Sequence, residues 1–409
     1  MRLSTNWMFQ QSLGTMLNQQ SALAKAQNQV STGRRINVAS DDPAGAGRMV
    51  SLNHILAANT QYTANIDAAN TRLDTTQSTL NSVNDLYNSA RDLTLQALNG
   101  SLSDSDRQAI AVQLGQMRDQ LLQMANTTDA TGQALFAGTS NTATPFVKNA
   151  DGSVSYAGNQ SQPHAAIGSG LTVPTGESGS GLFMDVAAGN GRFVASAGAS
   201  NSGSLVVGAN QVSDPAAYAA GLAANGGGGY TLAFDGAGNW TATDAAGQPA
   251  TDAAGNPLTG SYTPGASISF NGLNVELSGT PSAGDTVAIR PGTSQDVFTT
   301  FNTMIAALQP GTSGTQRSNV LSRQLEALDQ AQASVSRAEV DIGGRTNALT
   351  AQRAAYQDLN VTYQSTLSDT RDVDVYSAIS QLSIQSTSLQ ASQQVFAQVK
   401  SLSLFNYLK

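Results

Sequence analysis

The sequence contains no cysteine. That one absence removes disulfides, thiolate metal sites, iron–sulfur clusters and cysteine nucleophiles together. Histidine is almost missing too: His54 and His164 are the only two, far apart in the chain. A histidine-rich metal site is excluded, and a histidine-based triad is not expected. Charge is scarce. Charged residues are 12% of the 409, about half the roughly 25% of an average globular protein. The net charge of −8 argues against nucleic acid as a partner. No run approaches the ~18 consecutive apolar residues of a membrane span. Met1 to Gln11 has neither an apolar core nor a small-residue cleavage site, so a cleaved secretory signal is not expected.

Glycine and proline are unevenly spread. Residues 138–292 hold 28 of the 39 glycines and 9 of the 11 prolines. The same stretch holds only three of the 20 basic residues, Lys148, Arg192 and Arg290. The chain therefore divides into flank, insert and flank.

The flanks carry helical periodicity. Leu52, Ile55, Asn59, Tyr62, Ile66, Ala69, Leu73, Thr76, Leu80, Val83, Tyr87 and Ala90 step by three and four. Leu321, Leu328, Val335, Ile342, Leu349, Tyr356 and Tyr363 recur every seven residues, the narrow seam of a long helix. Helix over that stretch spans roughly 65 Å at about 1.5 Å per residue. The intervening positions Gln332, Glu339, Thr346, Arg353 and Asn360 are polar, which predicts a several-helix bundle with a thin core. A third helix is expected over Ser103–Asn126, with Ile110, Leu114, Met117, Leu121 and Met124 on one face and Ser103 as its cap. A short helix is expected over Ser294–Leu308, then a break over Gln309–Ser318. Asp42-Pro43 reads as a helix start. The pair Asp372 and Asp374 reads the same way.

The insert reads as β. Tyr230–Phe234, Trp240–Thr243, Ser267–Phe270, Leu273–Leu277 and Asp285–Ile289 are strand candidates. Asn271-Gly272 supplies the positive φ values of a tight hairpin turn. No phosphate-binding glycine motif occurs. The acids of the insert are Asp151, Glu177, Asp185, Asp214, Asp235, Asp244, Asp252, Glu276, Asp285 and Asp296. A hydrolytic carboxylate pair among them has no motif behind it, and Asp235, Asp244 and Asp252 read as turns. The fold class is therefore α+β: a long antiparallel helical bundle made by the two flanks, with a Gly-rich β domain inserted.

The two chain ends differ again. Residues 1–40 contain no acid and four basic residues, Arg2, Lys25, Arg34 and Arg35. Phe9, Leu13, Met16, Gln20, Leu23, Gln27 and Val30 form one thin apolar stripe. Val375, Ile379, Leu382, Leu389, Phe396 and Val399 form another, with Ile384, Val395, Leu402, Leu404 and Phe405 beside it. Such helices are marginal alone, because nucleation is unfavourable and packing must supply the stability. They are expected to pair with one another and with copies from neighbouring subunits, folding on assembly. The residues expected at the subunit interface are Trp7, Phe9, Leu13, Met16, Leu23, Val30, Val375, Ile379, Leu382, Leu389, Phe396, Val399, Leu402, Leu404 and Phe405. No catalytic, cofactor-binding or metal-binding residue is expected.

Gln29 to Gly45, reading QVSTGRRINVASDDPAG, resembles the N-terminal signature of bacterial flagellins and their relatives. Ile342 to Leu349, reading IGGRTNAL, resembles the matching C-terminal helix motif. Ser4–Gln11, Leu135–Thr139, Gly279–Asp285 and Leu402–Leu408 look more like the members that join hook to filament than like filament flagellin, which is the alternative. The resemblance covers both flanks and the edges of the insert. It implies three domains: terminal paired helices lining an inner tube (1–40 and 372–409), a helical bundle (41–137 and 294–371) and an outer β domain (138–293). It also implies type III export into an extracellular flagellum. The implied partners are copies of the chain, the first hook-associated protein, flagellin and, before export, a cytoplasmic chaperone.

Overall fold

The computed structural model describes residues 5–401. The helices are α1 (Thr5–Thr32), α2 (Pro43–Ala97), α3 (Asp104–Ala125), α4 (Pro215–Ala224), α5 (Val297–Ala307), α6 (Gly314–Arg371) and α7 (Val375–Ser401). Strands β1 (Phe146–Lys148), β2 (Val154–Tyr156), β3 (His164–Gly168), β4 (Leu171–Pro174), β5 (Val186–Ala187), β6 (Phe193–Ala197) and β7 (Val206–Val212) precede α4. Strands β8 (Tyr230–Phe234), β9 (Asn239–Asp244), β10 (Thr259–Ser261), β11 (Ser267–Phe270), β12 (Leu273–Ser278), β13 (Thr286–Pro291) and β14 (Ser294–Gln295) follow it. The chain forms two compact units, Met1–Asn65 with Thr350–Lys409, and Ile66–Leu349.

In the larger unit the helical seam is the one the spacing predicts. Ile66, Ala69, Leu73, Thr76, Leu80, Val83, Tyr87 and Ala90 of α2 are all buried, as are Leu321, Leu328, Val335, Ile342 and Leu349 of α6. Polar residues bridge the two helices between these layers. Asn84 donates to Glu339 at 3.2 Å, Gln332 donates to Asn88 at 3.1 Å, and Arg91 pairs with Asp329. Residue numbers fall on α6 as they rise on α2, so the helices run antiparallel. The polar positions in the heptads thus meet polar partners, and the apolar core is thin for that reason.

Local chemistry sets the helix starts. Ser103 and Asp106 form a reciprocal capping box at α3. On that helix Ile110, Ala111, Leu114, Leu121 and Ala125 are buried, while Met117 and Met124 are only half-buried. Asp296 accepts from the Thr299 N–H and starts α5 at Val297, three residues later than expected. Ser294 and Gln295 instead pair with Ala187 and Val186 as β14 on β5. The break before α6 is also shorter than expected and ends at Gly314.

Among the described residues, every strand pairing in the insert is antiparallel. A five-stranded sheet, β10-β9-β8-β13-β6, packs with a three-stranded sheet, β11-β12-β7, around one hydrophobic core. Alternation decides the inward face: Tyr230, Leu232 and Phe234 of β8, Val287 and Ile289 of β13, and Leu273, Val275 and Leu277 of β12 are buried. Asn271 and Gly272 take φ of 42° and 72°, as the tight turn requires. The acids of the insert do structural work. Asp214 caps α4, and Asp285 accepts from the N–H groups of Ser202, Gly203 and Ser282. Asp235, Asp244 and Asp252 each accept from backbone N–H groups two and four residues on.

Two ion pairs join loops to helices within this unit. Arg72 on α2 pairs with Asp129 and donates to the Ala134 carbonyl. Arg345 on α6 lies 2.6 Å from Glu177, a charge contact whose angles fall short of a hydrogen bond. Burial pushes the Glu177 carboxyl up, and Arg345 pulls it back. Arg345→Ala leaves that carboxylate buried with no counter-charge and only the Gln162 amide as partner, a cost of about 3 kcal/mol at neutral pH. A carboxyl raised by folding is destabilising only where it ionises. The deficit should therefore grow as pH climbs through and above the ordinary glutamate range and shrink below it. Urea unfolding of the variant across that range checks it.

Candidate assembly interface

The smaller unit is built from α1, the start of α2, the end of α6 and α7. Helices α1 and α7 lie antiparallel. Phe9 and Phe396 meet at 5.1 Å between ring centroids. One helical stretch on, Gln19 donates to Ser388 at 3.0 Å and accepts from Ser392. Asp374 starts α7 by accepting from the Tyr376 N–H at 3.1 Å. Asp372 does not start a helix. It closes α6, accepting from Ser368 and pairing with Arg371. Further along α2 and α6, Asn59 donates to Asn360 at 2.9 Å, and Tyr62 stacks on Tyr356 at 5.8 Å.

Between α1 and α2 the chain turns through Gly33, at φ +67°. This linker is bonded to the link between α6 and α7. The Arg35 N–H donates to the Arg371 carbonyl at 2.7 Å, the Val373 N–H to the Gly33 carbonyl at 3.0 Å, and the Arg35 guanidinium to the Thr370 carbonyl at 2.6 Å. Asp41 accepts from the Asn37 and Val38 N–H groups and pairs with Lys25 at 3.0 Å. Asp42 caps α2 through the Gly45 N–H at 2.9 Å and pairs with Arg35 at 3.2 Å. Lys25 and these N–H groups hold the Asp41 carboxyl below the usual aspartate range. The Gly45 N–H and Arg35 do the same for Asp42, and Arg371 and Ser368 for Asp372. Carboxyls lowered by folding stabilise above the ordinary aspartate range and lose that contribution as pH falls through it. Gly45 is buried because a Cβ there would lie 2.6 Å from both Ile36 and Asp42.

The pair has almost no core. In α1 and α7, Ala26 and Ala378 are the only buried apolar residues among the described side chains. Of the residues expected at an interface, Leu13, Met16, Leu23, Val30, Leu382, Leu389 and Phe396 are half-buried on the facing ridges. Trp7, Phe9, Val375 and Ile379 are exposed, at 55%, 39%, 49% and 50%. The side chain of Val399, and Leu402, Leu404 and Phe405, lie outside the described residues. Gln20 and Gln27, expected in the α1 stripe, are exposed; Gln19 and Ala26 take the inward places. Exposed Met8, Leu17 and Tyr376 escaped the sequence reading because they break the three–four spacing. On α7, Val375 continues the Leu382–Leu389–Phe396 ridge, Ile379 stands to one side of it, and Ile384 and Val395 stand on the other. A helix apolar beyond one face is normally buried on more than one side.

No helix among the described residues is long and apolar enough to cross a membrane, and no metal-holding cluster occurs among them. A coreless pair of terminal helices, a helical bundle and an antiparallel insert define the class of bacterial flagellins and their relatives, structural components of the flagellum. Residues 3–141 match the family described as the bacterial flagellin N-terminal helical region. Flagellar hook-associated protein 3 of Salmonella typhimurium is 34% identical over 186 residues, covering 46% of this chain and 58% of that protein. The crystal structure of Xanthomonas campestris FlgL is 30% identical, covering 78% of this chain and 99% of that one, with a TM-score of 0.68. That of hook-associated protein-3 from Legionella pneumophila is 27% identical, covering 78% and 97%, with a TM-score of 0.70. Matches to filament flagellins are shorter. The chain belongs to the flagellar hook-associated protein 3 (FlgL) family.

The tight Ile36–Asp42–Gly45 packing gives a direct test. Gly45→Ala should cost about 1–3 kcal/mol by overpacking. Hydrogen exchange should quicken around residues 33–46 and 368–374, with the melting of the larger unit unchanged.

Proposed function

We propose that this chain forms the junction layer between flagellar hook and filament by helical self-assembly of its terminal helices. The observation that carries the reading is the coreless α1–α7 pair with apolar side chains left exposed on both flanks of α7. Fixing each backbone residue costs about 1–2 kcal/mol, and two buried alanines offset little of that. Neighbouring subunits supply the missing burial. The interface uses Trp7, Phe9, Leu13, Met16, Leu23, Val30, Val375, Ile379, Leu382, Leu389, Phe396, Val399, Leu402, Leu404 and Phe405. Contacts are head-to-tail and do not close on themselves, so a helical layer results.

Residues 1–40 and 372–409 line the inner tube in this reading. Residues 41–137 and 294–371 form the bundle around it, and 138–293 the outer domain. The neighbours are copies of this chain, the first hook-associated protein on one side and flagellin on the other. A cytoplasmic chaperone holds the C-terminal helices until the chain leaves through the flagellar type III channel. The role is mechanical and involves no catalysis.

Negative-stain microscopy with hook ends and filament ends tests this. The chain should add as a thin layer at hook ends and then accept flagellin. Ile384→Asp and removal of residues 372–409 should each abolish that addition while the larger unit melts as before. Long filaments grown from the purified chain alone would favour filament flagellin. Fully protected termini in a dilute monomer, or unimpaired addition by Ile384→Asp, would refute the mechanism.

A further inference from the structure

A polar cleft of about 490 Å³ lies between the loop after β6 and the start of α6, within the larger unit. Its loop wall is fixed from behind. Asp285 accepts from the Ser202 and Gly203 N–H groups at 2.8 and 3.1 Å, and Asn201 exchanges two 2.8 Å hydrogen bonds with the Thr286 backbone. On the helix wall, Asn319 is buried and fully engaged, accepting from the Val207 N–H and donating to the Leu205 carbonyl. These residues build the walls and leave nothing for a ligand.

Arg323 is different. Its side chain lines the cleft and is half-buried, yet among the described residues it makes no hydrogen bond and no ion pair. Burial pulls its pKa down, and Glu326 is the opposite charge that bears on it. Glu326 is already engaged, accepting from the backbone N–H of Asn210 at 3.1 Å and its side-chain amide at 3.0 Å. A half-buried guanidinium whose donors make no hydrogen bond within the protein can take an anion, and its planar fork suits a carboxylate. The other groups with unused hydrogen-bonding capacity are uncharged: the Ser202 and Thr315 hydroxyls and the Gln316 amide. No carboxylate lines the cleft.

We propose that this cleft binds an acidic monosaccharide, its carboxylate held by Arg323 and its hydroxyls by Gln316, Thr315 and Ser202. A single cation matches a single negative charge. The volume lies within the range of small-molecule sites and exceeds the need of a simple anion. Hydroxyl and amide groups on rigid walls match a polyol.

Titration calorimetry of the full chain with glucuronate, glucose and acetate tests the assignment. Glucuronate should bind saturably, and glucose and acetate at least about tenfold more weakly. Arg323→Gln should weaken glucuronate by about tenfold or more, and its melting midpoint should fall somewhat, because Glu326 loses the cation that bears on it. Gln316→Ala, at an exposed position, should weaken it severalfold and serves if the first variant misfolds. Failure to bind glucuronate, equal binding of glucose or acetate, or full binding by Arg323→Gln would each overturn the proposal.

Discussion

Apolar surface that the two terminal helices cannot hide against each other is the constraint on which the rest depends. Helices α1 and α7 touch through Phe9 and Phe396, Gln19 and two serines, and two alanines. Contacts of this kind set alignment more than they supply stability. The hydrophobic effect is the dominant favourable term in folding and in most association, and here much of the apolar surface of these helices is still in water. The larger unit shows the contrast. Its seam and its insert core hold fully buried leucines, valines and aromatics, so it has the means to hold its shape by itself.

The linkers explain why the family signature reads as it does. Gly33 takes a left-handed turn that suits glycine, Arg35 reaches the end of α6, Asp41 and Asp42 bind linker and cap, and Gly45 clears space for Ile36. Each residue answers a different need of one crossing. None of these needs is chemical in the enzymatic sense, which is why a pair of adjacent aspartates here is not a reactive centre. The same holds for the acids of the insert, most of which bind backbone N–H groups or, for Glu177, an arginine and the Gln162 amide.

The heptad leucines of α6, the Asp42-Pro43 start and the Asn271-Gly272 turn could be read directly from the sequence, because each depends on spacing or on local backbone preference. Strands β6 and β7 could not. Ala-, Ser- and Gly-containing segments such as Phe193–Ala197 and Val206–Val212 have little intrinsic signal, and cross-strand partners decide them. Helix α4 went unread although Asp214-Pro215 is a start signal, since it sits within a β region. At the interface the approximate stripe was legible but its phase was not. Glutamines and alanines lie so close in preference that tertiary contact chose Gln19 and Ala26 over Gln20 and Gln27. The pairing of Arg345 with Glu177 joins distant stretches of chain, and no local pattern announces it.

Gln19 finds its partners 369 and 373 residues away. Helix α1 is therefore synthesised long before its mate α7. Until α7 exists, the apolar stripe of α1 lacks the helix it rests on. A molecule cut short anywhere before α7 would present an orphaned stripe and no second ridge. The separation of α1 from α7 thus acts as a check that both helices have been made: a chain that stops before α7 lacks one of the two ridges of the pair.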